Sequence, residues 1–156
     1  MKNIEFRGKN DNGIWLYGGY YSPKPTVCFI AADNDFAHRV LRDVIPETVG
    51  QYIGRTDKNE NKLFTDDIVK KYITLYTNNF DNYTLGFVDS EVEFEGYVYG
   101  VIKFVPSKGY VIKKLYTEDC IEGGFHKEKG YMGITASRTE KIGNIHDNPE
   151  LLEAKK

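Results

Sequence analysis

Val101-Ile102-Lys103-Phe104-Val105 runs into Pro106-Ser107-Lys108-Gly109, and Tyr110-Val111-Ile112-Lys113 follows at once. β-Branched and aromatic residues fill both arms, and the segment between them, bounded by Pro and Gly, has turn chemistry. The stretch therefore predicts an antiparallel hairpin and sets the fold class as β. Just upstream, residues 88–105 hold two alternating runs, in which Gly96 and Gly100 mark bulges or bends. The same grammar repeats outward in both directions. Residues 4–7, the turn Asn10-Asp11-Asn12-Gly13 and residues 14–21 predict a first hairpin, ended by Pro23 and Pro25. Residues 26–30, 48–54, 67–75 and 134–145 read as further strands. Residues 56–62 form a polar turn after which Leu63-Phe64 packs back. Residues 77–81 read as a polar loop, and 118–133 as a mobile, glycine-rich loop.

Two segments read less simply. In residues 33–44, Phe36, Val40 and Val44 recur at helical spacing, whereas Val40-Leu41 and Val44-Ile45 suit a strand over 39–45. Pro46 biases the residue before it towards extended backbone and favours the strand. At the other end, Asn148-Pro149-Glu150 predicts the start of a short C-terminal helix, with Asn as cap and Pro at the first helical position. Short strands punctuated by turns describe an all-β barrel or sandwich.

The 156 residues include 12 Tyr, 9 Phe, 1 Trp and 15 Gly, a balance that suits strands and tight turns and excludes a disordered chain, a coiled coil or a collagen-like repeat. The formal net charge of −2 lacks the electrostatic footprint of a duplex-DNA or RNA binder. Cys28 and Cys120 stand far apart beside apolar neighbours, so they are expected to be buried free thiols in a reducing cytosol. No apolar run approaches the ~20 residues needed to span a bilayer. The first seven residues lack the apolar core of a signal peptide, so the expected compartment is the cytoplasm.

Catalytic chemistry finds no foothold. His38, His126 and His146 do not stand at metal-ligand spacing, and no Cys/His cluster is present. There is no phosphate-binding glycine motif, and Gly123-Gly124-Phe125-His126 lacks the serine of a nucleophile elbow. No catalytic residue, metal ligand or cofactor is assigned, and the chain is expected not to be an enzyme. Asp89-Ser90-Glu91-Val92-Glu93-Phe94-Glu95 would align four carboxylates on one strand face. A straight acidic ladder holds its oxygens too far apart to surround one ion, so it reads as a solvated, charge-guarded strand. Tyr17-Gly18-Gly19-Tyr20-Tyr21 suits either base stacking or an interface. The basic groups nearby in sequence, Arg7, Lys9 and Lys24, would make only a thin phosphate groove.

Pro46-Glu47-Thr48-Val49-Gly50-Gln51-Tyr52-Ile53-Gly54, Asp57-Lys58-Asn59 and Leu63-Phe64-Thr65-Asp66-Asp67-Ile68-Val69 together resemble the signature of the YopX family of phage-associated proteins. The opening, Ile4-Glu5-Phe6-Arg7 with Trp15-Leu16-Tyr17-Gly18, and the ending, Ile142-Gly143-Asn144-Ile145-His146-Asp147-Asn148-Pro149-Glu150-Leu151-Leu152, are similar to that family too. Departures are Ile53 for a Thr, Glu60 for a turn glycine, and Thr65-Asp66 for Glu-Gly. Residues 72–86 and the loop near Gly124 look like insertions. The resemblance implies an N-terminal β region over 1–45, an SH3-like β-barrel domain over 46–147 and a short C-terminal helix or tail over 148–156. It also implies a phage or prophage origin and a bacterial host, and no catalytic motif.

The resulting expectation is a non-catalytic protein-interaction module, homo-oligomeric or bound to a host or phage protein, with no membrane partner. The alternative is single-stranded nucleic-acid binding through a barrel face, which the charge disfavours. Tyr17, Tyr20, Tyr21, Gln51 and Tyr52 are the candidate interaction residues.

Overall fold

A computed structural model of the chain describes residues 4–32 and 41–154. His38, and the part of the helix-or-strand question that falls on residues 33–40, lie outside them. Among the described residues the protein is mainly β, arranged as two sheets. The first contains β1 (Phe6–Lys9), β2 (Trp15–Lys24), β3 (Val27–Ala32), β4 (Leu41–Val44), β5 (Gly50–Thr56) and β6 (Lys62–Phe64), in the order β4-β3-β2-β1-β5-β6. The second contains β7 (Asp67–Phe80), β8 (Phe87–Val105), β9 (Gly109–Asp119), β10 (Phe125–Lys127), β11 (Tyr131–Met132) and β12 (Thr139–Asn144). Its order is β10-β9-β8-β7-β12, with β11 also on β9. Every pairing is antiparallel.

The hairpin from which the fold class was read is present, with Val105 opposite Gly109 and Ile102 opposite Ile112. Alternation puts Ile102 and Ile112 into a core with Leu63, Val69 and Ile134. Leu63, Val69, Ile102 and Ile112 are fully buried, each contributing about 1.5–3 kcal/mol relative to exposure. A smaller core of Cys28, Ile30 and Val44 lies under Phe6, Leu16 and Val49 in the first sheet. Leu63 sits on β6 yet packs into the core of the second sheet, so the β5–β6 hairpin fastens the two sheets together.

Several sequence expectations are corrected. β2 continues through Pro23 to Lys24, because the ladder skips between Tyr21 and Lys24 and makes no demand on the proline. Thr48 precedes β5, in a 3₁₀ turn, Pro46–Thr48, that bonds back to β1 through Lys9 N–H to Thr48 Oγ1 (2.9 Å). Residues 77–80 are not loop: β7 runs to Phe80, since β8 supplies a ladder partner for each of them. The glycine-rich stretch after Asp119 folds back as β10 and β11 along β9. The ladder shifts register at Gly100, as expected of a bulge; at Gly96 it stays regular, and the glycine instead admits the Glu118 carbonyl. The C-terminal helix is only a 3₁₀ turn, Pro149–Leu152, and the Asn148 side chain does not cap it. Cys120 is exposed, while Cys28 is buried; both are free.

Candidate functional site

The three segments that carried the resemblance converge on one place, the junction of the two sheets. Arg7 of β1 faces Tyr17 across one ladder and Gly50 across the other. Its guanidinium is 2% exposed and lies between two rings, 4.8 Å from the Trp15 centroid and 4.9 Å from that of Phe64. Nη2 stands 2.7 Å from Oδ1 of Asp67, which is fully buried. Oδ2 of Asp67 accepts the Phe64 N–H at 2.8 Å, and Lys141 Nζ lies 3.4 Å from it. Burial pushes the Asp67 carboxyl up, with Arg7 and Lys141 pulling against it. Gly50 is required here, because a Cβ would meet the Thr65 carbonyl at 2.9 Å and the Thr65 Oγ1 at 3.2 Å.

The C-terminal segment closes the junction from outside. Trp15 Nε1–H donates to Asp147 Oδ2 at 2.8 Å, and Lys9 pairs with the same carboxylate. Asn144 holds that turn by accepting the N–H groups of His146 (3.0 Å) and Asp147 (2.9 Å) on Oδ1. Donation from Lys9, Trp15 and Asn144 holds the Asp147 carboxyl well below the usual carboxylate range. Farther along the seam, Asp57 is 3% exposed and accepts the N–H groups of Asn59 (2.9 Å), Asn61 (2.9 Å) and Lys141 (3.0 Å). The two glycine departures of the family pattern, Glu60 and Asp66, both hold positive φ, 66° and 70°. Those are backbone positions that glycine occupies without steric cost.

The five candidate interaction residues do not form one surface. Strand alternation puts Tyr17, Tyr21 and Tyr52 on the Arg7 face and Tyr20 and Gln51 on the other. Tyr17 and Tyr52, far apart in sequence, each pack on the Phe64 ring, at centroid distances of 5.6 and 5.7 Å. Lys62 stands 5.4 Å from the Tyr52 ring and Lys141 5.9 Å from Phe64. Beside them opens a shallow depression of about 470 Å³ that also touches Asn61 and Gly143. Tyr21 instead stacks on Phe29 at 6.3 Å. Tyr20 packs on Phe6 at 5.1 Å, with its hydroxyl 3.4 Å from Cys28 Sγ. Gln51 is half-buried, its N–H donating to Thr65 Oγ1 at 3.0 Å.

Sequence reading missed a larger feature. β12 pairs β7 only as far as Lys71, and β9 pairs β8 only from Gly96 onward. Beyond those points β7 and β8 continue, alone among the described residues, as a two-stranded ribbon, turned at Asp81, whose Oδ1 accepts the Tyr83 and Thr84 N–H groups at 2.8 Å. Eight large apolar side chains stand exposed on it, among them Leu75, Tyr76, Phe80, Leu85, Phe87 and Val88. The signal was available in the apolar residues of 73–94, but the asparagines at 78 and 79 disguised it as loop. The acidic ladder lies on this ribbon and is not one row. Glu95 accepts a hydrogen bond from Tyr72 Oη, and Glu93 one from Thr77 Oγ1 (2.9 Å). Tyr72 and Thr77 point to opposite faces of β7, so a bulge at Glu93, between the Leu75–Phe94 and Tyr76–Val92 pairs, splits the carboxylates.

Among the described residues no group of three or more His, Cys, Asp or Glu gathers as a metal-binding set. Among them, too, no helix is long and apolar enough to cross a membrane. Residues 5–153 match the YopX protein family, nearly the whole chain, and the protein belongs to that family. No curated protein matches it.

Proposed function

We propose that the chain is a non-catalytic protein-interaction module, encoded by a phage or prophage and working in the cytoplasm of its bacterial host. The β7–β8 ribbon carries this reading. Exposed apolar side chains gathered on a projecting element mark association surfaces, whereas scattered ones do not. The family signature supports it from the other side: its Arg, Asp, Gly and Asn residues are engaged in holding the sheet junction, which leaves them structural work rather than chemistry. The strands of residues 46–147 are proposed to correspond to an SH3-like barrel, with β5–β6 folded across the β7–β8–β9 meander. The phage origin rests on the character of the family that the sequence resembles.

The test is affinity capture from host lysate with the full chain as bait, beside a form carrying Leu85→Ser and Phe87→Ser at the ribbon. Light scattering of the purified protein runs in parallel. A specific protein retained by the parent and lost by the variant, or self-association lost in the variant, supports the proposal. A strict monomer that retains nothing refutes it.

Single-stranded nucleic-acid binding has one observation in its favour, the gathering of Tyr17, Tyr52 and Phe64 beside Lys62 and Lys141. The surrounding cations oppose it. Lys62 pairs with Glu5, Lys9 with Asp147, Lys141 and Arg7 with Asp67, and Lys58 with Glu140. Phosphate binding would have to displace those carboxylates, and phosphate neutralisation supplies most of non-specific affinity. Absence of a Trp15 fluorescence change with oligothymidine at low salt removes this reading.

A further inference from the structure

We infer that the uncharged outer edge of β7, residues 74–80, pairs antiparallel with the same edge of a second copy of this chain, joining two ribbons into one four-stranded sheet. This inference rests on the interaction-module reading and names its partner. A two-stranded ribbon is marginal in water, and three or more strands are needed for independent stability. Past a last bond from the Cys120 N–H to the Glu95 carbonyl (2.9 Å), the paired ladder runs on from Leu75 opposite Phe94 to Phe80 opposite Phe87, with no third strand on either side among the described residues.

The two free edges differ in a way that selects the partner. Proteins blunt an exposed edge with charge, proline or a bulge. β8 carries such guards: Asp89, Glu91, Glu93 and Glu95, with the bulge at Glu93. β7 carries none. Thr74-Leu75-Tyr76-Thr77-Asn78-Asn79-Phe80 has no charge and no proline, and both register shifts along it place their extra residue on β8, so β7 itself holds no bulged residue. Leu75 to Asn78 are exposed on it, Tyr76 to 60%.

Electrostatics decides which edges can meet. The ribbon of residues 73–95 holds five carboxylates, Asp81 with the four on β8, and no Lys or Arg. Pairing β8 with β8 would set like charges about 5 Å apart across a ladder, which is destabilising. Pairing β7 with β7 puts the two β8 strands three strand spacings apart, about 14 Å, beyond the Debye length of about 8 Å at physiological ionic strength. The same acidic ribbon can therefore meet its own copy through one edge and not through the other.

A two-fold axis normal to the sheet keeps each residue on its own face, so residues of equal parity must pair. The run 74–80 has Thr77 at its middle. That register sets Thr77 against Thr77, Tyr76 against Asn78, Leu75 against Asn79 and Thr74 against Phe80. Thr–Thr pairs and aromatic–Thr pairs are favourable across strands.

Sedimentation equilibrium of the full chain tests this. The parent is expected to show a reversible dimer at concentrations up to about 100 µM. Tyr76→Lys with Asn78→Lys places like charges opposite one another and is expected to weaken the dimer at least about tenfold. Ser90→Lys on β8 is a matched surface change expected to leave it unaltered, with circular dichroism confirming that each variant folds. Independently of those variants, Thr77→Cys in a Cys120→Ser background is expected to oxidise to a disulfide-linked dimer, since directly opposed strand residues lie within disulfide reach. A parent that stays monomeric throughout the range overturns the inference, and so does a dimer unaffected by the double lysine change. If such a monomer still captures a protein through its ribbon, the interaction module stands and self-pairing alone falls.

Discussion

Replacing Asp67 by Asn removes the carboxylate charge that pairs with Arg7 in the junction. Asp67 is wholly buried and Arg7 is 2% exposed, so neither can recruit bulk water in exchange. After the change, the guanidinium keeps the Thr65 carbonyl at 3.4 Å and the faces of Trp15 and Phe64. Breaking a buried ion pair by neutralising one partner costs about 3–5 kcal/mol. The asparagine oxygen can still accept the Phe64 N–H, which keeps a bond worth about 1 kcal/mol. The expected loss is therefore near the lower bound, about 3 kcal/mol, from a total of about 5–15. With a urea slope of about 2 kcal/mol/M, the unfolding midpoint falls by about 1.5 M. Trp15 is the chain's one tryptophan and lies on the Arg7 guanidinium, so its fluorescence reports the transition from the site itself. Arg7→Met combined with Asp67→Leu removes both charges and is expected to cost less than Asp67→Asn alone. A loss under about 1 kcal/mol for Asp67→Asn, or simple additivity in the pair, refutes the reasoning.

Other changes follow from neighbouring groups. Asp57→Ala frees the N–H groups of Asn59, Asn61 and Lys141 and should cost about 1–3 kcal/mol in chemical denaturation. Burial pushes the Asp57 carboxyl up, but those donors outweigh it and hold it below its usual value. The stability it lends is thus complete above the ordinary carboxylate pKa of 3.8 and is lost as pH falls towards its lowered one; the alanine variant should show a shallower acid decline. Glu60→Gly relieves a positive φ of 66° and is expected to raise stability by about 0.5 kcal/mol, read as a higher melting temperature. Tyr99 stacks on Tyr116 at 4.7 Å and donates to Glu118 at 2.7 Å, so burial and that bond raise its phenol above the usual value near 10.0. Its contribution is complete below that pH and declines above it, and Tyr99→Phe should flatten the alkaline limb of a stability profile without abolishing it, because Tyr116 is raised too.

How much was legible follows from the range of each interaction. The hairpin of β8 and β9 could be read because alternation, turn chemistry and pairing all lie within thirteen consecutive residues. The same holds for the turn at Asp57 and for the N-terminal hairpin. The C-terminal helix was misread because Asn, Pro and Glu favour a helix start locally, while the turn built by Asn144 and the Tyr116 hydroxyl bonding the Leu151 carbonyl at 3.1 Å fix that end. Residues 77–80 were misread for the converse reason. Their asparagines argue for loop, and only the facing β8 residues make them strand.

Composition and period determined that this chain is β and where its turns fall, since side-chain alternation and turn propensity act between near neighbours. The tertiary structure alone decided which distant residues meet. It brought Arg7, Phe64, Asp67 and Asp147 into one junction, moved Tyr20 and Gln51 away from Tyr17 and Tyr52, and left one edge of a ribbon uncharged and, among the described residues, unpaired. Those outcomes depend on strand order and register, which are set by burying two sheets against each other and which no local stretch of sequence contains.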